Sequence, residues 1–203
     1  MRMTGELWNK YQSLRASLEQ NPLTSDYSFV SDLPSNVANA TISVEWDGKD
    51  PDFQPLFSNI AIDEKFMEVF RMSLLSGRSF SKEFTADTVN LVVNEKALRT
   101  MGMEAATAVG KSITLWGRKG TIIGVVKDFN FKPIQQPIEP IILRLNTWGG
   151  IAVVRTKPGQ AEATIDALEG IFKELNPDYP FTYNFVDQDV QNMYQAEERL
   201  SSL

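Results

Sequence analysis

Leu7, Tyr11, Leu14 and Leu18 recur at intervals of 4, 3 and 4 residues. That is the period of one helix face, and it predicts a helix from about Gly5 to Gln20. Asn21-Pro22 stops it, because a proline pushes the residue before it out of helical geometry. Tyr27 to Val30 reads as a strand, Leu33 to Asn39 as a polar loop, and Thr41 to Trp46 alternates as a second strand. A turn at Asp47 to Asp52 leads to a third strand, Pro55 to Ile62. Asp63 is placed to cap a short helix that buries Phe66, Met67 and Phe70.

Leu74 to Phe80 turns the chain into a β-rich middle, where Val89 to Val93 predicts a short buried strand. Asn94 then caps a helix with Ala97, Leu98 and Met101 inward, and Gly102 ends it. Ser112 to Trp116 is a strand, Gly117-Arg118-Lys119-Gly120 a turn, and Thr121 to Lys127 a returning β-branched strand. Gly124 inside that strand predicts a bulge or a close backbone approach. After Asp128-Phe129-Asn130 the chain is extended and punctuated by Pro133, Pro137 and Pro140, up to a strand at Ile141 to Leu145.

Asn146 to Gly150 forms a junction, followed by a strand at Ile151 to Arg155. Pro158 opens a helix with Ala161, Ile165, Leu168, Phe172 and Leu175 on one face, and Asn176-Pro177 stops it. Phe181 to Val186 reads as a strand, and Asp187 caps a final helix carrying Val190, Met193, Tyr194, Glu197 and Leu200. That helix breaks off mid-pattern at Leu203, as a helix continuing further would. Helix, Asn-Pro, aromatic strand thus occurs towards both ends of the chain. The echo predicts a pseudo-symmetric α/β layer made from both ends, with a β-rich insertion from about Phe66 to Leu145.

Composition narrows the chemistry more than the fold. The 203 residues are 42% hydrophobic and 23% charged, ordinary globular values. A formal net charge of −6 and the lack of any Lys/Arg run argue against a nucleic-acid partner. There is no cysteine, hence no disulfide or thiolate metal site, and no histidine. Serine-histidine and cysteine-histidine nucleophile systems and His-ligated zinc are therefore impossible within the chain. No stretch approaches the roughly 18 apolar residues of a transmembrane helix, as expected of a soluble protein or of an excised loop domain of a membrane protein.

The remaining motifs are thin. Ser79-Phe80-Ser81-Lys82 fits the S-x-x-K acyl-transfer pattern, but nothing like its companion elements follows, and the flanking Gly77-Arg78 and Glu83 suit an exposed turn. Among 26 acidic residues, pairs such as Asp63 with Glu64 or Asp128 with Glu139 are arbitrary glycosidase candidates. Asp47 to Asp52 and Asp187-Gln188-Asp189 lack the ligand register of a calcium loop and suit turns and caps. Asn39-Ala40-Thr41 matches a glycosylation sequon. Of the aromatics, Phe129, Phe131 and Trp148 lie beside loop residues and are the candidate partner surface. No Gly-rich phosphate loop is present, so any nucleotide hydrolysis belongs to another chain.

Five motifs occur in a fixed order: Leu75-Ser76-Gly77-Arg78-Ser79-Phe80, Val92-Val93-Asn94-Glu95, Val109-Gly110, Ile123 to Phe129 and Pro137-Ile138-Glu139-Pro140. Together they resemble the MacB-type periplasmic core domain of FtsX-like ABC transporter permeases, over roughly Leu14 to Leu203. The resemblance implies an α+β fold of two lobes. One is a porter-like α/β lobe from residues 1–65 plus 146–203, and the other a β-rich lobe, 66–145, inserted in it. It implies no enzyme activity, no cofactor and no metal. Gly77, Gly110 and Gly124 would set turns or bulges, and Pro137 and Pro140 an extended path. Phe80 and Asn94 belong to the same motifs, and Arg78 and Asp128 would tie loops together.

The expected function is an extracytoplasmic, periplasmic domain tethered by flanking transmembrane helices to a bacterial inner membrane. It would couple ATP hydrolysis by a separate cytosolic subunit to export by mechanotransmission. The expected partners are a second permease half or copy, that ATPase, and an envelope adaptor or cargo protein. The alternative is a free-standing extracytoplasmic module binding a peptide, lipid or glycan through the loop from Phe129 to Pro140. A carboxylate-based hydrolase is a third and weaker reading.

Overall fold

The computed structural model describes residues 1–129, 137–146 and 149–186. Its frame is a mixed sheet of ten strands: β1 (Thr24–Val30), β2 (Ala40–Thr41), β3 (Val44–Trp46), β4 (Phe57–Ile62), β5 (Leu74–Gly77), β6 (Leu91–Asn94), β7 (Ser112–Leu115), β8 (Arg118–Val126), β9 (Ile141–Leu145) and β10 (Ile151–Thr156). They run in the order β10-β1-β4-β9-β6-β8-β7-β3, with β2 beside β4 and β5 beside β8. The β4–β9 and β6–β8 pairs are parallel and the rest antiparallel. Every residue of β4 is buried, as expected where both faces of a strand are covered.

Among the described residues five α-helices decorate this sheet: α1 (Tyr11–Gln20), α2 (Phe66–Phe70), α3 (Glu95–Met101), α4 (Ala105–Ala108) and α5 (Ala161–Leu175). Three apolar cores result. The first packs α2 and Phe80 against Val30, Ile60, Ile62, Val92, Ile141, Leu143 and Val153. The second lies on the alternate side of the same strands, with Phe57, Val93 and Ile142 under Leu98 and Met101 of α3. The third joins the two ends of the chain. Leu7, Leu14, Leu18, Tyr27 and Phe29 close on Ala152, Leu168 and Phe172, and Tyr11 lies on Phe29 with ring centroids 4.6 Å apart.

The mixed α/β class agrees with the sequence, and the local differences have physical causes. The first helix is split, a 3-10 turn at Gly5–Trp8 preceding α1, yet all four periodic residues are buried. The strand predicted from Thr41 to Trp46 is two short strands that pair with different neighbours. A tight turn, in which Val44 N–H donates to the Ile42 carbonyl (2.8 Å), carries the chain from one to the other. The hairpin predicted at Gly117 to Gly120 turns earlier. Leu115 pairs with Arg118, leaving Trp116-Gly117 as a two-residue turn with both φ positive, at 52° and 76°.

Asp63 does not cap α2. Its carboxylate accepts from Ser28 Oγ (2.7 Å) and Phe29 N–H (2.9 Å) on β1. Its contact with the chain towards α2 is the Lys65 N–H (3.2 Å), and Lys65 holds the cap position with no side-chain cap bond. The segment Phe181 to Val186 is not a strand. The outer edge of β10 is already taken by the first residues of the chain, where Arg2 bridges Ile151 and Met3 N–H donates to the Gly150 carbonyl (2.8 Å). The aromatics of the segment instead pack on α5 and on one another, Phe181 tilted against Phe172, Tyr183 stacked on Phe181 and Phe185 edge-on to Tyr183. The final helix from Asp187 lies outside the described residues, and among those no helix is long and apolar enough to cross a membrane.

Candidate functional site

The motif residues gather where β5, β6, β8 and β9 meet. Gly77 and Gly124 lie opposite each other in the β5–β8 pair. A Cβ on Gly124 would run into the Arg78 carbonyl oxygen, and one on Gly77 (φ 74°) into that of Ile123. The two glycines let the backbones cross closely. From there Arg78 reaches Asp87 with two parallel bonds of 2.7 and 2.8 Å. Ser81 N–H and the Asn90 amide complete the Asp87 carboxylate at 3.0 and 3.2 Å. Burial is the largest single influence and works against the Asp87 charge, but Arg78, the Ser81 N–H and the Asn90 amide together outweigh it and hold this carboxyl below the usual range. Phe80, next to this pair, is buried in the first core.

Asn94 is a junction of three segments. Its Oδ1 accepts from Ala97 N–H (2.9 Å), the helix cap read from sequence, and from Ile141 N–H (2.9 Å) at the start of β9. Its Nδ2 donates to the Glu139 carbonyl (2.9 Å). Pro137 and Pro140 bound that approach, and the Pro140 carbonyl accepts from Ser58 N–H (2.9 Å) on β4. Asp128 ties the end of β8 to α3, accepting from Lys96 N–H (2.8 Å) and pairing with Arg99, while its own N–H donates to Glu95 (2.9 Å). Gly110, at φ 90°, donates to the Ile122 carbonyl (2.8 Å). Among these contacts of the described residues no nucleophile and base come together. Ser79 Oγ is buried without a partner, and Lys82 pairs with Glu64 (2.8 Å) instead.

Sequence patterning gave no notice of a second cluster. Arg15, on the buried side of α1, reaches Glu64 (2.6 Å) just after β4, with Asp63 at 3.9 Å. Glu64 also takes Lys82 from the loop after β5. One carboxylate thus bridges α1 and the β5–β6 connection. Burial opposes the charge of Arg15, but its bonds to Glu64 and Tyr11 raise its pKa all the same. Burial likewise pushes Glu64 upward, and Lys82 with Arg15 reverse it to a lowered value. Burial raises Asp63, with Ser28 and Phe29 only partly opposing it. The one available sequence signal was Tyr11 and Arg15 at i, i+4, a spacing that puts both on one helix face.

Of the aromatics expected at a partner surface, Phe129 is half-buried against the first core, while Phe131 and Trp148 lie outside the described residues. Among the described residues no group of three or more acids is placed to hold a metal ion, and the acidic turn at Asp47 to Asp52 makes local turn bonds such as Asp52 N–H to Asp50 (2.9 Å).

The model of the MacB-like periplasmic core domain family matches residues 9–171. This chain belongs to that family. As a MacB-like periplasmic core domain it is a periplasmic domain of the MacB/FtsX-like ABC permease type, which is not a known enzyme class. No curated protein matches its sequence. Solved structures share its fold at low identity. The periplasmic region of MacB from Actinobacillus actinomycetemcomitans is 15% identical with a TM-score of 0.61, covering 90% of this chain and 82% of that one. A domain of a putative permease protein from Porphyromonas gingivalis is 18% identical with a TM-score of 0.58, covering 86% and 72%. The extracellular domain of the noncanonic ABC-type transporter YknZ from Gram-positive bacteria is 13% identical with a TM-score of 0.58, covering 88% and 91%. In this MacB-like domain, then, the motif residues lie at strand crossings and loop ties, such as Gly77 against Gly124, Arg78 with Asp87 and Asn94 with Ile141.

Proposed function

We propose that this domain is a mechanical coupler. In this reading it is held at the outer face of a bacterial inner membrane by transmembrane helices of its parent permease. It works beside a second permease half or copy, and relays ATP hydrolysis by a separate cytosolic subunit to the export of a cargo, with an envelope adaptor as a further partner. Two lobes act as levers in it, one from residues 1–65 and 146–203 and one from 66–145. The motif residues Gly77, Arg78, Phe80, Asn94, Gly110, Gly124, Asp128, Pro137 and Pro140 keep the inserted lobe stiff.

The observation that carries the reading is the Arg15–Glu64–Lys82 cluster. It connects α1, the element nearest an incoming membrane span in this picture, to the connection between β5 and β6. A nearly buried ion pair is a stiff link, because parting it leaves an uncompensated charge.

Paired spin labels on Ser13 of α1 and Lys119 of the β7–β8 hairpin, both exposed, test it in the full-length permease with its ATPase. The expected result is a constant distance within the domain and a changed distance between the two permease halves when ATP is added. No change between the halves overturns the coupling. A changed distance within the domain overturns the rigid link.

A further inference from the structure

Arg144 occupies an unusual place for a cation. It sits in β9 between Ala61 of β4 and Leu91 of β6, near the middle of the sheet. By the two-residue period of a strand it shares the face of Ile142, which belongs to the second core. A half-buried guanidinium there calls for a carboxylate, yet among the described residues none pairs with it. The charge of Asp32 acts on it without an ion pair being formed. The Asp32 oxygens are already occupied by Ser31 Oγ (2.7 Å), the Asn39 amide (2.7 Å) and Ala38 N–H (3.2 Å). Arg144 Nε is buried with no acceptor, while the residue as a whole is half-buried. Burial, only partly offset by Asp32, lowers the pKa of the group.

What does cover Arg144 is a tryptophan. The guanidinium carbon lies 5.2 Å from the centre of the Trp116 ring. That ring is pinned: its indole N–H donates to Thr41 Oγ1 (3.1 Å), and the Trp116 backbone N–H donates to the Ser43 carbonyl (3.1 Å). It is also 47% exposed, on a backbone at φ 52° that suits glycine far better than an aromatic residue. Ile42, between the two residues that hold it, is 50% exposed. A strained, fixed and half-exposed aromatic plane beside a cation that forms no ion pair among the described residues is what an incoming ligand would use.

We propose that Arg144 and Trp116 form a binding site for a carboxylate carried next to an apolar group on a peptide chain. The guanidinium presents two parallel N–H donors to the carboxylate, and Trp116 with Ile42 receives the apolar neighbour. A single cation on a chain of net charge −6 matches a singly charged group better than a phosphate, which seeks several donors and positive charges at once.

The test is a titration of the isotope-labelled 203-residue chain, following the Arg144 Nε–H and Trp116 Nε1–H resonances. The probes are the blocked tripeptides Leu-Glu-Leu and Leu-Gln-Leu, acetate, and inorganic phosphate. The expected result is saturable movement of both resonances by the Glu peptide, with the Gln peptide and acetate weaker by about tenfold or more. Arg144→Gln should erase the preference for Glu over Gln. Trp116→Gly, which the left-handed turn accepts without strain, keeps the fold and should weaken the Glu peptide about tenfold. It serves as the deciding variant should Arg144→Gln fail to fold. Equal binding of the two peptides, an unchanged affinity in Trp116→Gly, or phosphate binding more tightly than the Glu peptide each overturns the proposal.

Discussion

Asp87 has no exposed side-chain surface, yet donors from Arg78, Ser81 and Asn90 converge on it. Replacing it by Asn puts an amide N–H against those donors and strands Arg78, at a cost of about 2–3 kcal/mol in chemical unfolding at neutral pH. The sign of the pH dependence follows from its lowered pKa. A carboxyl held low in the folded state adds stability above the ordinary range near about 4, and that gain is lost as pH falls through the folded value. The deficit of Asp87→Asn should therefore be full at neutral pH and shrink on acidification. A deficit that stays constant down to the acid transition would show that the charge is irrelevant. Gly124 was legible as a bulge or a close backbone approach, because a glycine interrupts so apolar a strand, and the close approach is there. Its neighbour, the Arg78 carbonyl, was not legible, since no local pattern encodes which distant backbone arrives there.

Among elements, α3 shows how far a local signal reaches. Asn94 and Gly102 mark its two ends in the sequence, and both act as read, with Gly102 left-handed at φ 67°. The sequence did not show that the same Asn94 also holds the entry into β9. Asn94→Ala should therefore cost more than the ~1 kcal/mol of a lost cap, about 2–3 kcal/mol in all. Amide exchange at Ile141 should accelerate along with that at Ala97, and acceleration at Ala97 alone would reduce Asn94 to an ordinary cap. Where the patterns misled, the decision was made elsewhere in the fold. Phe181 to Val186 has the composition of a strand, but a strand needs an open edge, and the Met1–Met3 segment already lies on β10. Thr41 to Trp46 has the alternation of one strand, but its halves serve two partners.

At the scale of the molecule, three cores share one sheet, and Glu64 spans the gap between α1 and the loop after β5. Glu64→Gln leaves the nearly buried Arg15 with Asp63, 3.9 Å away, as its carboxylate neighbour among the described residues, and releases Lys82. The expected loss is about 2–3 kcal/mol, together with a broadened distance distribution between labels at Ser13 and Lys119. A loss of stability with an unbroadened distribution would make the cluster a staple rather than a link. Glu64, held low, shares the acid sensitivity of Asp87, while Asp63, raised by burial, is eased by protonation and opposes it. The helix faces that meet in the third core, Leu7, Leu14 and Leu18 with Leu168 and Phe172, were legible from their spacing, whereas the Asn-Pro echo misled, because its second strand does not form. The ion cluster was not legible, because three charged residues far apart in sequence look like ordinary surface until the chain folds. The parallel pairing of β4 with β9 also bears on how the domain is born. During synthesis β4 emerges long before the strand that must lie beside it, and β1 waits longer still for β10. Until then, apolar strands stand with open flanks, so maturation should be slow for the chain's size and should depend on helpers that shield nascent polypeptide.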